Sequence, residues 1–273
     1  MSNLELIDPY LAGEIDPAYA LRARYIFEEI VKAKPEVTLD TGCGRGFYVK
    51  LLSLFDFPKK INGIDLNDSH LDKARALVSE QGERVNLQRG SIYELPFTDE
   101  SVDFVICSEV LEHLDNPDAG VKEIHRVLKK GGHAAITVPC KTFPFFWDPL
   151  NWLLMRLFNT HVHKDIHCLA GIWADHERLY DEETLLKHFE TGFDVTSSRN
   201  IVSTCWPFSH FFIYGIGKNL VESGFFTSFN RFTFEKPGFL KRALAKFMSL
   251  PSDLFDKGKN KKGTILFLCV RKK

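Results

Sequence analysis

The sequence predicts an α/β fold built around a doubly wound parallel sheet. Apolar runs of strand length alternate with helix-like patterns through the first half of the chain, as in βαβ units. These runs are nearly continuous, which is typical of strands covered on both faces. The first run ends in a glycine-dense turn at 42–46 that leads into a helix pattern. Right-handed crossovers then return the chain to the same sheet.

The predicted elements follow in order from the N-terminus. An apolar stripe that includes Leu21, Ile26 and Ile30 predicts a leading helix over 17–34. Asp181 is the expected N-cap of a later helix that ends at Glu190. Seven strands are predicted at 37–40, 60–65, 85–90, 102–108, 133–139, 193–202 and 263–271, with further helices at 47–54, 69–81 and 118–128.

Two segments, at 140–176 and 203–262, lie outside this plan. Both are rich in aromatic residues, so we expect them to be ordered rather than linkers. Ligands of open α/β sheets bind beyond the carboxyl ends of the strands, and we expect the two segments to cap that edge. The predicted domains are an N-terminal helical cap at 1–34, a core at 35–202 plus 263–273, and cap insertions at 140–176 and 203–262.

The glycine turn after the first strand predicts a nucleoside site. Glycines at 42, 44 and 46 let the backbone pass close beneath a ligand, and the helix that follows presents unpaired N–H groups. Asp65, at the end of the second strand, can accept hydrogen bonds from both hydroxyls of a ribose. The spacing is G-x-G-x-G, whereas a dinucleotide site expects G-x-G-x-x-G, so a nicotinamide oxidoreductase is disfavoured.

Further motifs follow this turn in a consistent order, at 90–97, 101–108, 109–117, 123–132 and 134–139. Together with Asp40 and the glycine spacing, they resemble class I S-adenosylmethionine-dependent methyltransferases, and in particular the ubiquinone and menaquinone biosynthetic methyltransferase family. The resemblance covers residues 36–139, with a weaker tail at 179–195. It implies a Rossmann-like, mostly parallel seven-stranded sheet whose final strand is antiparallel to its neighbours.

The resemblance also implies the cofactor, S-adenosyl-L-methionine, and the residues that bind it. Ser91 stands where the family usually has an acidic residue for the adenine amino group, and its hydroxyl can still accept a hydrogen bond. In the implied site, Asp40, Gly42 and Gly44 surround the methionyl end, Asp65 binds the ribose, Leu66 and Ile92 cover the adenine faces, and Ser108 lies near the amino group. Cys43 and Gly46 complete the set.

His113 and His176 are the candidate catalytic residues. An imidazole titrates near neutral pH, which suits removal of a proton from a methyl acceptor. His113 lies just past the fourth strand, beside the expected methyl position, and its alternative role is to order the loop. His176 follows Asp175, which could bias the tautomer of the ring.

The segment 161–168 carries three histidines, an aspartate and a cysteine, all of which are reasonable zinc ligands. Their spacing fits no standard zinc pattern. We therefore favour a polar loop at the mouth of the substrate site and predict no metal site.

The composition bears on the cellular compartment. The six cysteines are scattered, form no C-x-x-C pair and include three placed as small apolar fillers. Residues 1–16 lack a basic region followed by an apolar stretch, and no apolar run reaches the ~18 residues of a spanning helix. We expect a cytoplasmic protein with reduced cysteines.

Charge and aromatic residues suggest the partners. Residues 200–273 carry 13 lysines and arginines against four acidic residues, although the net charge of the chain is -1. Basic residues beside phenylalanines match peripheral attachment to an anionic membrane surface, and inward packing of the cap is the alternative. Clustered phenylalanines beside so few cations disfavour nucleic acid.

These observations together predict a methyltransferase that acts on a small, hydrophobic or lipid-linked acceptor at oxygen or carbon. Two alternatives stay open. One is methylation of tRNA or protein, and the other is a regulatory subunit that binds the cofactor without turnover.

Overall fold

The computed structural model describes residues 3–163, 165–166, 170–174, 176–217, 220–221, 229–256 and 260–273. Its centre is one seven-stranded sheet with the strand order β3-β2-β1-β4-β5-β7-β6. Strand β7 pairs antiparallel with both of its neighbours, and the other neighbouring strands pair in parallel. The strands are β1 (Val37–Thr41), β2 (Lys60–Asp65), β3 (Val85–Arg89), β4 (Val102–Ser108), β5 (Leu128–Pro139), β6 (Phe193–Ile201) and β7 (Ile265–Lys272).

Helices cover both faces of the sheet, so the predicted fold class is confirmed. Some are short, and the longest have 17 residues each. They are α1 (Asp8–Leu11), α2 (Pro17–Ala33), α3 (Phe47–Leu52), α4 (Asp68–Leu77), α5 (Pro117–Val127), α6 (Pro149–Leu157), α7 (Glu182–Lys187) and α8 (Phe239–Phe255).

The alternation of side chains along the strands creates two hydrophobic cores. Phe104 and Ile106 in β4 pack with the buried residues of α2 and α3 on one face. Val105 and Cys107 point the opposite way and pack with α5 and α7. Burial on both faces explains why the strand segments read as continuous apolar runs in the sequence.

Three predicted boundaries differ from the structure by more than two residues, and one of them is the end of α4, at Leu77 rather than at residue 81. Strand β5 begins at Leu128 rather than at residue 133, because Leu128 pairs with Val102 and the positive φ of Gly131 (75°) lets the backbone bulge. Asp181 does cap α7, since its Oδ1 accepts a hydrogen bond from the Thr184 N–H at 2.9 Å. That helix ends at Lys187 and not at residue 190.

The N-terminal helices, α3 and both insertions meet through aromatic contacts. Trp147 of the first insertion packs edge-on against Tyr214 of the second, with ring centroids 6.4 Å apart. Phe234 packs on Tyr10 and on Phe47, with ring centroids 5.4 and 5.5 Å apart. Trp206 stacks on Phe247 of α8 at 4.8 Å. The aromatic-rich cap is therefore present. Phe225 and Phe226 of the second insertion lie outside the described residues.

Two observations bear on the compartment predicted from composition. The five cysteines in the described part of the chain are buried and free of disulfides, while Cys168 lies outside it. Across the same described ranges, none of the helices has the length and apolarity that crossing a bilayer would require.

Candidate functional site

The glycine turn lies between β1 and α3, and each of its glycines has a left-handed backbone. The φ angles are 75° at Gly42, 51° at Gly44 and 83° at Gly46. A Cβ on Gly46 would lie 2.9 Å from the Cβ of Ala74, so this glycine allows α3 to approach α4. A Cβ on Gly44 would meet no described protein atom within 4 Å. The backbone at Gly44 therefore faces open space, where a ligand can approach it.

Asp65 ends β2 and anchors this turn. Its Oδ2 accepts a hydrogen bond from the Gly44 N–H, and its Oδ1 accepts one from the Asn67 N–H, both at 2.8 Å. The Nδ1 of His70 lies 3.8 Å from Oδ1. Each carboxylate oxygen has a second lone pair, so the fixed carboxylate can still accept hydrogen bonds from ribose hydroxyls.

Asp40 is buried beneath the same turn. Its Oδ2 has no hydrogen-bond partner among the described residues. Burial, and to a lesser extent the charge of Asp65, raise the pKa of Asp40 to about 8. A positively charged ligand in the crevice would lower this pKa and compensate the ionised carboxylate.

The residues expected around the adenine lie at the ends of β2 and β3. Leu66 is 64% exposed, which leaves an apolar side chain for a ligand to cover. Ile92 is buried. The Ser91 Oγ accepts a hydrogen bond from the Tyr93 N–H at 3.2 Å, so this hydroxyl also holds its own turn.

Ser108, at the end of β4, belongs to a chain of hydroxyl groups. Its Oγ lies 3.1 Å from the Tyr48 hydroxyl and 2.9 Å from the Thr137 Oγ1. Thr137 donates its proton to Glu109 at 2.9 Å, so Ser108 donates to Thr137 and accepts from Tyr48. Glu109 also pairs with Arg22 at 3.2 Å. This network fixes the Ser108 oxygen and leaves it one lone pair.

A cavity of about 690 Å³ adjoins the glycine turn. Gly44, Arg45 and His70 line it on the core side. The Arg45 guanidinium lies 5.4 Å from the ring centroid of Phe232, so it links the turn to the cap. The cap side is mostly apolar and includes Phe212, Ile213, Phe232, Leu244 and Met248. The volume and lining suit a small organic ligand.

His113 and His176, predicted separately, lie side by side, with ring centroids 5.1 Å apart. Both face Glu112, because its Oε1 lies 3.6 Å from the His113 Nε2 and 3.9 Å from the His176 Nε2. Glu112 is fully buried, and neither of its carboxylate oxygens has a hydrogen-bond partner among the described residues. Burial, followed by the nearby Glu109 carboxylate, raises the pKa of Glu112 well above its ordinary value.

Three hydrogen bonds hold the segment that bears His176 against the loop after β4. The Glu177 N–H donates to the Glu112 carbonyl at 3.2 Å. The Tyr180 hydroxyl donates to the Leu111 carbonyl at 3.3 Å, and Arg178 donates to the Leu114 carbonyl. Since the two segments are far apart in the sequence, these contacts are what bring the histidines together.

Sequence reasoning missed three residues of this region, namely Tyr48, Thr137 and above all Glu112. Glu112 was present in the motif at 109–117, directly before His113. An acidic residue beside a candidate catalytic histidine was the available signal. Tyr48 and Thr137 gave none, because their hydroxyls reach Ser108 only through tertiary contacts.

The histidine-rich segment behaves as a polar loop where it is described. His161 stacks on Trp173 with ring centroids 3.9 Å apart. His163 pairs with Asp165 at 3.1 Å on the exposed surface. His167 and Cys168 lie outside the described residues, as does Asp175, which was expected to bias the His176 tautomer.

Comparisons with known proteins identify the core. Residues 39–136 match the family described as the methyltransferase domain. A relative from Mycolicibacterium smegmatis, described as a "probable S-adenosylmethionine-dependent methyltransferase", is 34% identical over 49% of this chain and 50% of its own length. A ubiquinone biosynthesis O-methyltransferase from Rickettsia bellii is 32% identical over 45% of this chain and 51% of its own length. The chain therefore spans about half the length of these two relatives.

Solved structures share the fold over nearly the whole chain. An S-adenosylmethionine-dependent methyltransferase from Mesorhizobium loti has a TM-score of 0.53 and 14% identity, and covers 93% of this chain and 98% of its own. The cyclase SpnF has a TM-score of 0.56 and 19% identity, and covers 92% of this chain and 79% of its own. At these identities, the likeness establishes the fold alone.

Residues 39–136 are a methyltransferase domain, and a relative described as a probable S-adenosylmethionine-dependent methyltransferase matches about half of the chain, in agreement with the predicted resemblance. The cofactor of this family is S-adenosyl-L-methionine. The site fits it in three respects: open space above Gly44, a fixed carboxylate at Asp65 and an unpaired buried oxygen at Asp40. The individual cofactor-binding roles of Asp40, Gly42, Cys43, Gly44, Gly46, Asp65, Leu66, Ser91, Ile92 and Ser108 stay predictions.

Proposed function

We propose that the chain transfers a methyl group from S-adenosylmethionine to a small, hydrophobic or lipid-linked acceptor, at oxygen or carbon. The observation that carries this proposal is the cavity of about 690 Å³ beside the glycine turn. The turn expected to bind the cofactor lines one side of it, and apolar residues of the cap line the other. An acceptor held in this cavity would be surrounded by aromatic and aliphatic side chains.

The cofactor supplies a methyl group already activated by a sulfonium, so the chain mainly has to bind and orient the reactants. Asp65 would hold the ribose hydroxyls. Asp40 would offset the positive charge of the ligand, and Ser108 would accept a hydrogen bond through its remaining lone pair. The apolar cap would exclude water from the reacting groups.

An oxygen acceptor must also lose a proton. We assign this step to the neighbourhood of Glu112, His113 and His176, which lies just beyond the end of β4. The relative named for O-methylation in ubiquinone biosynthesis favours oxygen over carbon as the acceptor atom.

Helix α8 supports a lipid-linked acceptor. Its Leu244 and Met248 line the cavity, while Leu240, Phe247 and Leu254 are exposed. Arg242 and Lys246 lie on the same helix and are exposed as well. An exposed helix with apolar and basic residues suits an anionic membrane surface, from which an acceptor could enter the cavity.

The direct test is incubation of the full chain with methyl-labelled S-adenosylmethionine and a fractionated cell extract. We expect the label in the solvent-extractable lipid fraction. Label only in RNA or protein would instead support the alternative acceptors and overturn the proposal. Tight cofactor binding with no label in any fraction would favour a regulatory subunit.

A further inference from the structure

Glu112, His113 and His176 form a cluster of one carboxylate and two imidazoles. Removal of a proton from the acceptor would require only one of these groups. One atom from each residue lies within 4.8 Å of the other two. A carboxylate and two imidazoles form a ligand set used for divalent transition metals, with further coordination positions left open. From this geometry, we propose that Glu112, His113 and His176 bind a divalent metal ion, with Zn²⁺ as the first candidate, which holds an oxygen of the methyl acceptor.

Glu112 supplies the observation that points to a ligand. Its side chain is fully buried, and neither oxygen has a hydrogen-bond partner among the described residues. A buried carboxylate without a partner is costly, and a bound cation removes that cost. The Glu109 carboxylate adds negative charge nearby, although it is already engaged by Arg22 and Thr137.

The distances from the Glu112 oxygen to the two imidazole nitrogens are close to the distance between two ligand atoms of one metal ion. With metal–ligand bonds of about 2.0–2.1 Å in a tetrahedral arrangement, two ligand atoms lie about 3.3 Å apart. The observed distances from the Glu112 Oε1 are 3.6 Å to the His113 Nε2 and 3.9 Å to the His176 Nε2. Shifts of a few tenths of an ångström would therefore bring each imidazole nitrogen to ligand distance from the Glu112 oxygen, and the two nitrogens already lie within 4.8 Å of each other.

His176 is oriented as metal-bound histidines usually are. Its Nδ1 lies 2.6 Å from the Ile172 carbonyl oxygen, which can only accept, so the Nδ1 carries the proton. The Nε2 then presents a lone pair toward Glu112. His113 has a side chain that is 41% exposed, which provides a route from solvent for the ion and the acceptor.

This role of the ion rests on the proposed function. A metal lowers the pKa of a hydroxyl bound to it, so the proton can leave to solvent. The acceptor oxygen then forms a bond to the methyl carbon while the bond from that carbon to sulfur breaks. Sulfur keeps the electron pair and becomes a neutral thioether. His113 and His176 would act as ligands in this scheme and not as bases.

The test uses the full chain, stripped by a chelator and then titrated with Co²⁺ and Zn²⁺. We expect one ion per chain, Co²⁺ absorption bands typical of nitrogen and oxygen ligands, and displacement of Co²⁺ by Zn²⁺. Glu112→Gln and His113→Ala should weaken binding by ~100-fold or more, since each removes a ligand. The exposed His113 change should leave the fold intact, as circular dichroism would verify.

His163→Ala is the matched control, because His163 also pairs with an acidic residue but lies in the exposed loop. It should bind the ion like the wild type. Equal loss of binding in this control, or wild-type binding no tighter than that of His113→Ala, would overturn the site. If Glu112 is instead a protonated structural residue that binds no ion, wild type and His113→Ala should bind the ion equally weakly.

Activity measurements distinguish a failure of the metal site from a failure of the proposed function. Stripped enzyme should still bind S-adenosylmethionine but lose methyl transfer, and Zn²⁺ should restore it. Full transfer by metal-free enzyme would overturn the role of the ion while the proposed function stands. Specific ion binding without methyl transfer to any fraction would support the site and contradict the proposed function.

Discussion

Gly44 and Gly46 are neighbours in one turn, yet the structure gives them different tasks. Gly46 makes room for α4, whereas Gly44 faces the open crevice. Both have positive φ angles, so an alanine at either position would strain the backbone by about 1 kcal/mol. Any further loss of stability or of cofactor affinity depends on the atoms or the ligand space that each added Cβ would contact.

We therefore expect Gly46→Ala to lower the melting temperature more than Gly44→Ala, because its Cβ would meet Ala74 at 2.9 Å. Gly44→Ala should instead lose affinity for S-adenosylmethionine by ~10-fold or more, since its Cβ enters the ligand space. Thermal unfolding and calorimetric titration measure the two effects. Equal cofactor affinity in wild type and Gly44→Ala would contradict this account of the turn.

The raised pKa of Asp40 leads us to predict that the stability of the ligand-free protein depends on pH. Its pKa is raised to about 8 in the folded chain, from 3.8. Below about pH 4 both states bind the proton, whereas between about pH 4 and pH 8 only the folded state does. The stability that Asp40 contributes is thus lost progressively as the pH rises from about 4, and the loss is complete above about pH 8.

The variant Asp40→Asn should lack this pH dependence. Relative to wild type, its free energy of unfolding should rise between pH 5 and pH 9 by at least ~1 kcal/mol, since each unit of pKa difference corresponds to ~1.4 kcal/mol. Urea denaturation across this range measures the difference. A difference between the two proteins that does not change from pH 5 to pH 9 would show that Asp40 ionises readily in the folded chain.

At the residue scale, local sequence indicates where single candidate site residues lie but not which of them come together. Asp40 and Asp65 lie at the carboxyl ends of β1 and β2, and the glycines follow β1 directly, so their positions are set by local sequence. The meeting of His113 and His176 at Glu112 depends on hydrogen bonds such as that from the Glu177 N–H. Such long-range contacts leave no periodic signal in the chain.

At the scale of elements, the seven strands were predictable because burial on both faces makes their sequences nearly continuous in apolar character. The antiparallel direction of β7 followed only from the family resemblance. The predicted start of β5 at residue 133 was wrong, because Gly131 forms a bulge within the strand instead of preceding it.

Helix α8 is the element for which we predict membrane contact. Phe239 is 88% exposed and Leu240 is 70% exposed, at the N-terminal end of this helix. The double variant Phe239→Glu, Leu240→Glu should bind less to phosphatidylcholine vesicles that contain phosphatidylglycerol, because it removes apolar area and adds negative charge. Vesicle flotation measures the bound fraction.

The matched control is Val195→Glu, which places a charge at a half-exposed apolar position of β6. It should bind vesicles like the wild type. Added salt should weaken the wild-type binding, since part of it is electrostatic. Absence of wild-type binding to anionic vesicles would exclude this role of α8.

At the scale of the whole molecule, the conserved architecture and the particular cavity come from different parts of the chain. The sheet carries the glycine turn and the carboxylates, whereas much of the cavity wall comes from described residues between Phe212 and Met248. A cyclase shares the fold, so the sheet alone does not define the reaction. The cofactor follows from the methyltransferase domain, and we propose that the cap selects the acceptor.

Calorimetric titration of S-adenosylmethionine into the wild type, Asp65→Asn and Asp68→Asn tests the central claim most directly. Asp68 is an exposed carboxylate three residues away, on the first turn of α4. We predict one cofactor per wild-type chain, an affinity loss of ~10- to 100-fold in Asp65→Asn from weakened hydrogen bonds to a charged acceptor, and little change in Asp68→Asn. Wild-type protein that binds no cofactor, or Asp65→Asn that binds it as tightly as wild type, would contradict the account.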